Sequence, residues 1–62
     1  MSVKRFDLIR YFVKNGFYFL REGTNHSIYT NNLKTVPIKR HRTFDRVTAN
    51  ELCKQAGLKQ KF

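Results

Sequence analysis

Three short runs rich in aromatic and β-branched residues, Phe17 to Arg21, His26 to Asn31 and Lys34 to Ile38, are separated by only two to four residues. Parallel strands need a crossover of a dozen or more residues, so breaks this short leave antiparallel pairing. Gly23-Thr24-Asn25 and Asn31-Asn32 are turn signals, and the chain between them reads as a three-stranded meander. Pro37 has no N–H to give to a ladder, so the third strand is expected to be an edge or to end there.

A helix is expected on either side. From Val3 to Asn15, placed at 100° per residue, Phe6, Leu8, Ile9, Phe12 and Val13 share one arc, while Lys4, Asp7, Arg10 and Lys14 lie outside it. Ser2 offers an N-cap, and Asn15-Gly16 a stop. The second helix is expected from Thr48 to Ala56, with Thr48 and Glu51 at capping-box spacing and Gly57 as the stop. Leu52, with Cys53 or Ala56, would face the sheet, and Leu58 would pack just beyond. The fold class is therefore α+β, in the order α-β-β-β-α, with two helices on one face of a three-stranded antiparallel sheet. Double-stranded RNA-binding domains share that layout, an analogy of fold only. No repeat or linker divides the 62 residues, which read as one domain. Six Phe and three Tyr must supply much of its buried area.

Charge narrows the choice of partner. Thirteen Lys and Arg against four Asp and Glu give a net charge of +9. On so small a surface that is an electrostatic footprint for nucleic acid or another polyanion. Residues 34–62 carry eight of the cations, and Lys39-Arg40-His41-Arg42 is the densest run. No apolar run approaches the ~20 residues that span a bilayer, no helix pairs a basic face with a long apolar one, and Met1 to Asp7 lacks the apolar stretch of a signal peptide. Cys53, the one cysteine, excludes an internal disulfide and fits a reducing compartment, so cytoplasm is the expected location.

His26 is the leading candidate for chemistry. It opens the second run after a polar turn, Arg21-Glu22-Gly23-Thr24-Asn25, and imidazole titrates near neutral pH. By itself it reads more plainly as a strand-end histidine making one hydrogen bond. Its neighbour depends on register. A four-residue loop sets Arg21 opposite His26 and Phe19 opposite Ile28; a three-residue loop sets Glu22 opposite His26 and Leu20 opposite Ile28. The first is preferred, since Phe17, Phe19 and Ile28 then form one continuous core face.

Several pieces, in order, resemble one family: a helix ending in Asn15-Gly16-Phe17, then Arg21-Glu22-Gly23, Asn25-His26-Ser27-Ile28-Tyr29, Val36-Pro37, Arg40-His41-Arg42, and Leu52-Cys53-Lys54-Gln55-Ala56-Gly57-Leu58. Together they resemble the HicA-type toxins, the messenger-RNA-cleaving half of a bacterial toxin–antitoxin pair. The resemblance implies a fold like that of double-stranded RNA-binding domains, a HicB-type antitoxin as partner, and a catalytic histidine at the position of His26. Two departures stand out. The family's common Gly-Ser-His is here Thr24-Asn25-His26, with the glycine at position 23, and its Pro-Arg-His is spread over Pro37-Ile38-Lys39-Arg40-His41.

Ribonucleolytic cleavage needs a base for the 2′-hydroxyl, an acid for the departing 5′-oxygen, and positive charge near the phosphorus. His26 would move protons, while Arg21, Lys39, Arg40, His41 and Arg42 would hold RNA. His41 is otherwise a solvated loop residue, and Cys53 a small buried hydrophobe. Two histidines, one cysteine and four scattered carboxylates show no metal-ligand spacing, and there is no cofactor motif, so neither metal nor cofactor is expected. The competing readings are a non-catalytic RNA-binding module on the same fold and a basic protein whose role is to bind an acidic partner.

Overall fold

The computed structural model describes residues 2–62. Among these the element order is β1 (Ser2–Lys4), α1 (Arg5–Lys14), β2 (Tyr18–Glu22), β3 (His26–Thr30), β4 (Thr35–Lys39), β5 (Thr43–Asp45) and α2 (Arg46–Gln55). The expected meander is present as an antiparallel sheet in the order β2-β3-β4, and Pro37 lies on the edge strand β4. A two-stranded ribbon, β1 with β5, is additional to the expected elements.

That ribbon moves both helix starts. Val3 pairs with Phe44, and each turns its side chain into the core while its neighbours stay exposed. Ser2 is thereby held in a strand, and α1 begins from an extended Lys4 with no side-chain cap. At the other helix Asp45 leaves β5 extended and accepts a hydrogen bond from the Thr48 N–H at 2.6 Å, so it takes the N-cap role expected of Thr48. Helix α2 therefore starts at Arg46, and Thr48 lies within its first turn.

Both helices end as the glycines require. Gly16 (φ 91°) and Gly57 (φ 72°) are left-handed, a conformation that carries no Cβ penalty in glycine. Around Gly16 the Phe17 N–H returns to the Phe12 carbonyl at 3.0 Å, and around Gly57 the Leu58 N–H returns to that of Cys53 at 2.8 Å. These are Schellman closures, and in the first the Phe12 and Phe17 rings also pack with centroids 4.9 Å apart.

One cluster forms the core. Leu8 and Phe12 from α1, Ala49, Leu52 and Cys53 from α2, Val36 and Ile38 from β4, and the Val3–Phe44 ribbon pair are all buried in it. Both helices thus cover the Val36–Ile38 face of the sheet. Burial pushes the Cys53 thiol above its ordinary range, as expected of a small core residue.

Candidate functional site

Near its turn the β2–β3 hairpin is tighter than either expected register, and beyond Leu20 it runs in the register of the three-residue loop. Beyond Leu20, Tyr18 pairs with Thr30 and Phe19 with Tyr29; nearer the turn, Arg21 pairs with Ile28 and Glu22 with Ser27. A bulge at Leu20 absorbs the extra residue and leaves that side chain exposed. The Gly23 N–H donates to the His26 carbonyl at 2.7 Å, which draws the turn tight around Thr24 and Asn25. Gly23, rather than Arg21 or Glu22, therefore lies across from His26. The preferred register is overturned: Arg21 stays on the His26 face but two residues along the ladder, and Phe19 stacks edge-on with Tyr29 at 5.8 Å. Phe19 is half exposed rather than part of the core.

On its other side His26 is paired with Lys39, so the imidazole and the ammonium stem share one sheet face. His26 is half-buried, whereas Lys39, Arg40, His41 and Arg42 are exposed. Ser27 points the opposite way, into the helix side, where it is buried. There Arg5 donates through Nη2 to Ser27 Oγ at 2.8 Å, and Ser27 Oγ in turn approaches Glu22 Oε1 at 3.2 Å.

Arg40 has a different place from the rest of its run. Its Nε meets Glu22 Oε1 at 2.8 Å, and its Nη2 reaches the Gly23 carbonyl at 2.6 Å, with longer approaches to the carbonyls of Thr24 and His26 at 3.4 Å. The guanidinium closes the turn that presents His26. The Arg40 hydrogen bond, with a smaller share from Ser27, holds the Glu22 carboxyl below the usual carboxylate range.

His41 stacks on Phe44, with ring centroids 6.0 Å apart and planes 28° from parallel. It borders three surface concavities. One, about 500 Å³, is lined by Asn25, His26, Lys39, Arg40 and His41. The next, also about 500 Å³, runs from His26 and His41 across Phe44 to Thr48 and Gln55 of α2. The third, about 610 Å³, opens on the helix side of the sheet, where Lys4, Arg5, Arg40 and Arg42 surround Glu22 and Ser27.

Lys4 and Arg5 are the site residues that sequence reasoning missed. The ribbon pairs Lys4 with Thr43, and the Arg5 N–H donates to the Arg42 carbonyl at 2.9 Å, which joins the first cations of the chain to the Lys39–Arg42 run. The only signal in the sequence is the Val3/Phe44 pair of apolar residues in short polar surroundings. Among the described residues no three His, Cys, Asp or Glu side chains gather as a metal site, and no helix is long and apolar enough to cross a membrane.

The fold and its charged end define a small basic α+β domain that presents a half-buried imidazole among cations. Residues 6–58 match the family described as HicA toxin of bacterial toxin-antitoxin, and the chain belongs to that family. No curated protein and no solved structure gives a significant match.

Proposed function

We propose that this toxin is an endoribonuclease that cleaves messenger RNA, with His26 as a catalytic proton-transfer group and without a metal ion. The observation that carries this reading is the position of His26: half-buried, paired with Lys39, and lining one concavity with Lys39, Arg40 and His41. A phosphodiester seated there has an imidazole and an ammonium on the same side. The electrostatic demand of the reaction is for cations near the phosphorus as charge develops. Lys39 supplies charge within that concavity, and Arg42 from the neighbouring one on the helix side. Arg40 supplies it while holding the turn, and Arg21 contributes from farther along the same face.

Family and charge together support the reading of the partner. A toxin of a toxin–antitoxin pair requires an antitoxin, here of HicB type, and a +9 surface favours a docking face rich in carboxylates. Such a face would cover the His26 and Lys39 end of the sheet.

His26→Ala tests the activity. The variant should keep its circular dichroism spectrum and lose cutting of an unstructured messenger RNA by about 10²–10⁴-fold, the usual contribution of a positioned acid–base group. A folded His26→Ala protein that binds and cuts as well as the parent would overturn the assignment. If parent and variant bind RNA equally and neither cuts it, the chain is an RNA-binding module instead.

A further inference from the structure

In-line displacement at phosphorus makes a demand that one imidazole does not meet. The attacking 2′-oxygen and the departing 5′-oxygen stand on opposite sides of the phosphorus. A group placed to take a proton from one is not placed to give a proton to the other in the same step. If the chain cuts RNA in this way, a second proton-transfer group must flank the phosphate that His26 flanks.

The concavity beside His26 offers few candidates. Its other lining residues are Asn25, Lys39, Arg40 and His41. An amide does not exchange a proton in this role, and a guanidinium stays charged; the one on Arg40 is also committed to Glu22 and the turn carbonyls. Between the remaining types, imidazole titrates near neutral pH, whereas an alkylammonium keeps its proton to about pH 10.

His41 also has the mounting that such a group needs. Its ring lies against Phe44, which is buried and braced across the ribbon by Val3. The imidazole thus has a fixed platform, although the residue as a whole is exposed. It borders both concavities that His26 borders, as well as the third, which Arg5 and Arg42 line. The fold therefore brings the chain's two histidines to one depression from different elements, His26 from the start of β3 and His41 from the β4–β5 connection.

We propose that His41 is the second proton-transfer group, acting with His26 on either side of one phosphate. The proposal rests on the ribonuclease reading above. One neutral imidazole accepts the 2′-hydroxyl proton as the 2′-oxygen bonds to phosphorus. The other, protonated, gives its proton to the 5′-oxygen as the P–O5′ bond breaks. The products are a 2′,3′-cyclic phosphate and a 5′-hydroxyl, and exchange with water restores both imidazoles.

The test uses the full chain and two RNA strands of one sequence, the second with sulfur in place of the bridging 5′-oxygen at the cut. A thiolate leaves without being protonated, so sulfur removes the need for the acid but not for the base. His26→Gln and His41→Gln, each confirmed as folded, should both cut the oxygen strand about 10²–10⁴-fold more slowly than the parent. On the sulfur strand one of the two, the variant lacking the acid, should recover to near the parental rate while the other stays slow. A His41→Gln protein that cuts the oxygen strand within a few-fold of the parent overturns the proposal. Equal rescue of both variants, or of neither, also overturns it. So does rescue of Lys39→Gln in place of either histidine variant. Loss of cutting in His26→Gln with His41→Gln unaffected would remove only the pairing, whereas a parent that cuts neither strand would remove the ribonuclease reading beneath it.

Discussion

Arg40 and Glu22 meet at 2.8 Å beside the β2–β3 turn, and the same guanidinium reaches the Gly23 carbonyl at 2.6 Å. An exposed ion pair alone contributes little to stability. The consequence here is geometric, because the turn so clipped is the one that delivers His26. The most cation-rich stretch of the chain therefore contains one residue whose charge is already engaged within the fold.

Arg40→Lys separates these roles. Lysine keeps the charge but has no planar fork to join a carboxylate and a carbonyl together. The variant should bind RNA with nearly the parental salt dependence, yet exchange its Gly23 amide hydrogen faster and cut more slowly. Arg42→Lys should change neither exchange nor cutting beyond about twofold. Unchanged exchange at Gly23 in Arg40→Lys would show that the turn holds without the clip.

The meander was legible because turn chemistry and the edge position of Pro37 are local signals, and the helix ends because Gly16 and Gly57 carry left-handed backbone. The ribbon was not. Ser2–Lys4 and Thr43–Asp45 are too short to show alternation, and their pairing joins positions some forty residues apart. The same omission hid Lys4 and Arg5 from the site and assigned the α2 cap to Thr48 rather than Asp45. The register failed for a different reason. Loop length alone assumes an unbroken ladder, and the bulge at Leu20 breaks it. His26, Lys39 and His41, which line one concavity, are candidates by residue type alone, a signal that does not depend on where the ladder puts them.

Asp45 gives stability a predictable acid limb. Its hydrogen bond from the Thr48 N–H lowers its carboxyl below the ordinary value. A carboxyl depressed on folding adds stability that is complete above its unfolded value, about 3.9, and that fades as pH falls through the lower folded value. The Glu22 carboxyl, lowered chiefly by Arg40, acts in the same direction. Melting temperature should accordingly fall as pH drops below about 4. Asp45→Asn keeps a side-chain acceptor at the N-cap but cannot titrate, so its melting temperature should depend less steeply on acid. Parallel curves for the two proteins would deny Asp45 this role.

Removal of metal is expected to leave cutting unchanged. In the proposed route Lys39 and Arg40, beside His26, meet the charge that develops at phosphorus. The rate in excess EDTA should match the rate in magnesium once ionic strength is equalised, since added salt weakens binding to phosphates by itself. Loss of activity in EDTA, recovered with one divalent ion and not with others, would mean that a metal completes the site.

The decisive substrate is one in which a single 2′-hydroxyl is missing. The concavity is lined by Asn25, His26, Lys39, Arg40 and His41, whose imidazoles can move the proton of a hydroxyl, and the nucleophile proposed for this site is the RNA's own 2′-oxygen. Replacing that hydroxyl by hydrogen at the cut nucleotide removes the attacking atom and leaves every phosphate in place. Affinity, which arises mainly from cations such as Lys39 and Arg42 meeting the backbone, should change by less than about threefold, while cutting at that position should vanish. On the unmodified strand the fragments should end in a 2′,3′-cyclic phosphate and begin with a 5′-hydroxyl. Mass spectrometry of the fragments reads both ends at once. Cleavage at the deoxynucleotide, or fragments beginning with a 5′-phosphate, would make water the nucleophile and assign the imidazole of His26 to its activation.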